Sequence, residues 1–202
     1  MAEKRKVDRR IQRTRALLRD ALMRLIVRKG YDDITIQDIT DEANVARTTF
    51  YLHFGDKDEL LFSTMRDLYE DLYAASGHEK ASSWFTDDID DCIADDFEHV
   101  QDYSDFYSIM LSEHGSAAFL TQVRGYLAEA IMGDMFKVFA PMEVEAKLPH
   151  NMMAYAVAGA QIGVIKWWLD NGMEQSPKEV AFMLEQLLKK GLIWGLGADE
   201  KS

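Results

Sequence analysis

The stretch Thr35-Ile36-Gln37-Asp38-Ile39-Thr40-Asp41-Glu42-Ala43-Asn44-Val45-Ala46-Arg47-Thr48-Thr49-Phe50-Tyr51-Leu52-His53-Phe54-Gly55-Asp56-Lys57-Asp58-Glu59-Leu60 decides how this chain is read. Thr35 stands where a hydroxyl caps a short helix with an acidic first turn, and Asn44-Val45 interrupts that helix. A second short helix is expected over residues 46–54. Gly55-Asp56 parts it from a third that starts at Lys57, with Asp56 and Glu59 spaced as a capping box. Ile36, Ile39, Ala43, Val45 and Phe50 are spaced to face inward and fix an interhelical angle. Arg47, Thr48, Thr49, Tyr51 and His53 are left to face outward. Two short helices joined by a tight turn and packed on a longer one are the arrangement that sets its second member into the major groove of DNA.

The longer helix is expected immediately upstream. Over residues 9–29, Ala16, Leu18, Leu22, Leu25 and Ile26 recur at three- and four-residue steps, while Arg9, Arg10, Arg13, Arg19, Arg24 and Arg28 occupy the rest of the surface. Gly30 closes the helix. The basic residues from Lys4 to Arg10 read either as a solvated tail or as an arm reaching phosphates or the minor groove.

A formal net charge of −12 argues against a nucleic-acid partner only if it is evenly spread. It is not: residues 1–50 hold 12 Lys+Arg against 8 Asp+Glu, and the remainder hold 11 against 27. Screening acts over about 8 Å at physiological salt, so a phosphate near the basic end hardly senses the acidic body.

Downstream, helices are expected near residues 57–75, 83–100, 103–113, 116–139, 149–170 and 177–194. The last is signalled by Ser176-Pro177-Lys178-Glu179. No alternating strand pattern of useful length occurs. The expected fold is therefore all-α with about nine helices. Its domains are a three-helix helix-turn-helix domain at 1–56, a connecting helix at 57–77, and a helical ligand-binding and dimerisation domain at 78–202.

Several functions lack their residues. Cys92 is alone, so no intrachain disulfide forms. His53, His78, His99, His114 and His150 show no metal-ligand spacing, and the acidic run from Asp87 to Glu98 reads as a solvated helix face. No phosphate-binding glycine loop, nucleophile elbow or paired-cysteine motif is present, so neither an enzyme nor a cofactor is expected. The charged N-terminus does not read as a signal peptide, and the most apolar run, Met152 to Ile165, is too short to span a bilayer. A cytoplasmic protein without membrane contact is expected.

Ala156, Gly159, Ala160 and Gly163 set small side chains on one helix face beside Tyr155, Ile162, Trp167 and Trp168. Such a face suits a tight helix crossing, inside the subunit or across a dimer. A cavity for a small molecule would draw on Trp84, Phe85, Phe97, Phe106, Tyr107, Met110, Phe119, Tyr126 and Met135, although at helical spacing these serve equally as core.

The quoted stretch, with the helix before it, resembles the DNA-binding signature of the tetracycline-repressor (TetR) family over about residues 9–62. The resemblance implies that Arg47 and Thr48 face base edges, and that Thr49, Tyr51 and His53 hold the backbone or nearby bases. It further implies that Thr35 and Lys57 meet phosphates. Ala46 stands where the family often has serine, leaving Asn44 or a backbone group to cap the recognition helix. The resemblance also implies a homodimer on a palindromic operator. Its last two helices would pair with their copies, using Ala156, Gly159, Ala160, Gly163 and Trp167, and an unidentified small-molecule effector would relieve repression. The C-terminal part faintly resembles a subset that includes regulators of dihydroxyacetone-kinase operons. This leaves open an alternative, a co-activator that recruits a protein partner and has no small-molecule switch of its own.

Overall fold

The chain is described here by a computed structural model that covers residues 2–76, 91–113, 115–139 and 146–195. Among these residues there are nine helices and no strand. They are α1 (Ala2–Lys29), α2 (Ile36–Ala43), α3 (Arg47–Tyr51), α4 (Lys57–Ser76), α5 (Asp91–Asp102), α6 (Ser104–Met110), α7 (Ala117–Phe139), α8 (His150–Asp170) and α9 (Pro177–Gly195). The break expected at Ser76-Gly77-His78 and the helix start expected near residue 83 fall outside the described residues, as do Trp84, Phe85 and the side chains of Cys92 and Met135. Residues 4–10, open between a tail and an arm in the sequence, continue the helical backbone of α1.

The chain forms two compact units, one of Met1–Tyr69 with Asp105–Leu120 and the other of Glu70–Ser104 with Thr121–Ser202. In the first, α1 buries Leu18, Ala21, Leu22, Leu25 and Ile26 beside Tyr31, Ile34, Ile39, Phe50, Phe54, Leu60 and Leu61. Side chains at i, i+4 and i+8 lie on one helical face, which is why the periodic set of α1 becomes core while its arginines stay at the surface. Gly30, at φ +77°, supplies the left-handed turn that ends α1.

In the second unit α9 packs on α5 and α8. Phe97 meets Trp168 edge to face at 5.5 Å, and the Trp168 indole N–H donates to the Gln175 carbonyl at 2.9 Å. Gln161, largely buried, donates to Asp96 at 2.9 Å, a polar tie between α8 and α5. The start of α9 is held as its sequence predicts: the Ser176 amide donates to Glu179 at 2.8 Å and the Glu179 amide to the Ser176 hydroxyl at 3.3 Å. Among the described residues no helix is long and apolar enough to cross a membrane, and no three His, Cys, Asp or Glu are grouped to hold a metal ion.

Candidate nucleic-acid interface

Thr35 caps α2 through a complete capping box. Its hydroxyl accepts from the Asp38 amide at 3.2 Å, and its own amide donates to the Asp38 carboxylate at 2.8 Å. Lys29 at the end of α1 donates to that carboxylate at 2.8 Å. The ammonium of Lys29 and the donors of Thr35 hold Asp38 below the usual carboxylate range. One turn further on, Glu42 accepts from Arg24 at 2.9 Å and from Arg28 at 2.8 Å, and it is lowered for the same reason. Part of the basic face of α1 is therefore engaged in holding α2, through arginines that remain exposed.

Asn44 adopts the left-handed conformation at φ +53° and closes α2, its amide bonding back to the Thr40 and Asp41 carbonyls. It does not cap α3, as the sequence had left open. Ala46 occupies that position in an extended conformation with no side-chain bond, so backbone alone starts the helix: the amides of Thr49 and Phe50 reach the Ala46 carbonyl at 2.8 and 3.3 Å.

The expected helix over 46–54 narrows to α-helix at Arg47–Tyr51, after which the amides of His53 and Phe54 both bond to the Phe50 carbonyl at 2.9 and 3.0 Å. Fully buried Phe50, packed against Phe54 with rings 5.9 Å apart, anchors this segment. The capping box expected at Asp56 is shifted. Asp56 does accept from the Glu59 amide at 2.7 Å, but the Glu59 carboxylate takes the amide of Gly55 at 2.7 Å, one residue earlier than the pattern requires.

Around α3 the outward face is Arg47, Thr48, Tyr51 and Leu52, all exposed, while Thr49 and His53 sit half-buried at its flank. Arg47 and Tyr51 are one turn apart. The guanidinium lies 5.8 Å from the phenol ring centre and donates to its hydroxyl at 3.3 Å. Leu52 is 80% exposed, a position the sequence reading did not single out. It lies four residues after Thr48, on the same face, but an apolar residue there reads as core.

Lys57, expected at a phosphate, points its ammonium at three backbone carbonyls, those of Tyr31 (3.1 Å), Asp32 (3.2 Å) and Ile34 (3.1 Å). Arg15, half-buried, donates to Ser63 of α4 at 2.7 Å and lies 4.7 Å from the Phe54 ring centre, tying α1 to the end of the recognition segment.

In the second unit, Ala156, Gly159, Gly163 and Trp167 are exposed on α8 and Ala160 is half-buried. Among the described residues a Cβ placed on Gly159 or Gly163 would meet nothing within 4 Å, so no tight crossing between described helices accounts for these glycines. Exposed Met152 and Tyr155 lie on the same helix, and α9 adds Phe182, Met183 and Leu187, the last at 70% exposure.

The family description "Bacterial regulatory proteins, tetR family" matches residues 18–68, the span built above, and "Transcriptional regulator C-terminal region", of the same family, matches residues 87–190, more than half of the chain. The chain belongs to the TetR family. It has the N-terminal helix-turn-helix and C-terminal helical domain of that family. It is 25% identical over 92% of its length to the uncharacterized HTH-type transcriptional regulator YxbF of Bacillus subtilis (strain 168), and spans about half (47%) of that protein. Two solved structures share the fold. The transcriptional regulator FadR from Bacillus subtilis in complex with stearoyl-CoA matches at TM-score 0.65 and 16% identity, covering 87% of this chain and 98% of FadR. The dihydroxyacetone kinase operon activator DhaS matches at TM-score 0.56 and 15% identity, covering 91% of this chain and 98% of DhaS.

Proposed function

We propose that the chain acts in the cytoplasm as a homodimeric repressor. Each subunit offers α3 to one half of a palindromic operator, and a small molecule held in the second unit lowers operator affinity. The observation that carries this reading is the outward face of α3, where Arg47, Thr48, Tyr51 and Leu52 stand exposed while Phe50 and Phe54 root the segment in the core. Arg47 reads a guanine through two parallel hydrogen bonds and Thr48 a neighbouring base edge. Thr49, His53 and the cap at Thr35 line the flank that meets the sugar-phosphate backbone.

The uncovered face of α8 and α9 supports pairing of two copies, because Gly159 and Gly163 admit a second helix where their own chain leaves space. That FadR, of similar fold, is solved in complex with stearoyl-CoA supports a small-molecule site in the helical body. An effector acts only through unequal affinity for two subunit arrangements, one of which spaces the recognition helices for successive turns of the duplex.

Selection from random-sequence duplexes at moderate salt tests the reading. The expected product is an inverted repeat with half-site centres about 34 to 36 Å apart; a pool without a repeat overturns it. A reporter behind that repeat then separates repression from partner-dependent activation, which the likeness to DhaS keeps as the second reading.

A further inference from the structure

We propose that Leu52 is a specificity-determining residue of the recognition segment, covering the 5-methyl group of one thymine in each half-site. The inference rests on the operator reading above and adds to it the base that an apolar side chain selects. Leu52 is 80% exposed, while the other side chains on the outward face of α3, those of Arg47, Thr48 and Tyr51, each carry a polar group. Its backbone is still helical, at φ −73° and ψ −17°, so the spacing of α3 extends to it. Counted from fully buried Phe50, Leu52 lies two residues on, about 200° around the axis and nearly opposite the side chain that seats the helix. Thr48, two residues before Phe50, is turned as far. These two side chains face most directly whatever the helix meets, whereas Thr49 and His53 are half-buried at its flank.

The duplex offers a leucine few partners. Phosphate oxygens and most base-edge groups need a hydrogen bond that Leu52 cannot supply, and covering one of them without a partner costs free energy. Thymine alone among the four bases carries a methyl group in the major groove. Seating Leu52 on it removes two apolar surfaces from water at once. The rise of the helix also fixes which thymine. Leu52 follows Arg47 by five residues, so at about 1.5 Å per residue it stands about 7.5 Å further along the helix. Base pairs stack about 3.4 Å apart, which places the thymine about two pairs from the guanine of Arg47 when the helix lies along the groove.

Replacing the thymines of the selected repeat one at a time by deoxyuridine removes the methyl group and keeps every hydrogen-bonding edge. For the unaltered protein, one position per half-site should lose about fourfold in affinity, the transfer free energy of one methyl-sized group. For Leu52→Ala the same replacement should cost little, while any cost at other thymines persists, so that the loss belongs to the pair. At that position 5-methylcytosine should bind more tightly than cytosine for the unaltered protein and not for Leu52→Ala. Half-sites selected without a thymine at that distance from the guanine, a deoxyuridine series without effect, or a series equal for both proteins overturns the proposal. So does a loss on Leu52→Ala that is equal for the repeat and an unrelated duplex, which would set the side chain on the deoxyribose common to every sequence. The deoxyuridine series on the unaltered protein holds even where the variant folds poorly, and melting curves of the variant report that directly. If the unaltered protein selects no repeat, the operator reading fails and takes this proposal with it; a repeat whose thymines fail the test removes Leu52 alone.

Discussion

On the proposed function Arg47 and Tyr51 act as one recognition element, because the phenol ring and hydroxyl hold the guanidinium before any DNA arrives. A guanidinium already fixed in plane loses less freedom on pairing with a guanine. Arg47→Ala should therefore abolish preference at one base pair of each half-site, a loss of about 1–3 kcal/mol of discrimination. Repeat selection would show one featureless column while the other columns persist; unchanged preference would remove Arg47 from the reading set. Leu52, 80% exposed, has no polar atom to offer and can gain only by covering an apolar group of the duplex. Leu52→Ala should weaken operator binding severalfold while leaving stability within about 0.5 kcal/mol, as for other exposed sites, which paired binding and melting curves check. The outward turn of Arg47, Thr48 and Tyr51 was legible from spacing alone. Leu52 was not, because an apolar residue reads as core in any hydrophobic pattern. Thr49 and His53 read as outward because they are polar, yet at about 100° per residue they sit a quarter-turn off the exposed face, beside the buried Phe50.

The two short helices are held by opposite means. For α2 the local signals agree: a full capping box, Lys29 on Asp38, and Arg24 with Arg28 on Glu42. For α3 the local signals are nearly absent; Phe50 is buried, and the bonds of Lys57 to the Tyr31, Asp32 and Ile34 carbonyls tie the chain after α3 to the chain before α2. Capping was therefore readable in the sequence at Thr35 and Ser176, where donor and acceptor lie three residues apart. The Lys57 bonds join residues 23 to 26 positions apart, and no local pattern announces them. Ala46→Ser supplies the missing hydroxyl at an exposed site that already has the extended conformation of a cap. It should stabilise the first unit by about 0.5–1 kcal/mol, seen as a higher denaturation midpoint, and a lower midpoint would show that the backbone start of α3 is already optimal. Asp38 and Glu42 titrate lower in the folded chain than in the unfolded one. Their stabilisation is thus complete above the ordinary carboxylate range near pH 4 and is lost as pH falls through their folded values. Amides of α2 should lose exchange protection progressively as pH falls below about 4, and Asp38→Asn should flatten that dependence.

At the scale of the whole chain, composition alone misleads, since a net charge of −12 conceals a basic N-terminal quarter. The nine helices of the described residues and their order were legible because apolar positions recur at the helical period and few prolines interrupt them. Whether the small-residue face of α8 closes inside the subunit or outside it was not legible, because a sequence does not say what lies opposite a glycine. The space beyond Gly159 and Gly163 favours the outside. That space also makes a clean test, because a Cβ there meets no described residue within 4 Å and replacing each glycine improves helix propensity by about 1 kcal/mol. Gly159→Leu with Gly163→Leu should leave helicity and melting intact while holding two copies of α8 apart, so that sedimentation reports a monomer. Joined subunits bind the second half-site at a high effective concentration, so the monomer should lose about 100-fold or more in operator affinity. Its salt dependence should fall to about half, because each released counterion belongs to a phosphate met by one subunit or the other. A stable dimer, or a monomer with the full salt slope, would place the subunit contact elsewhere on the molecule.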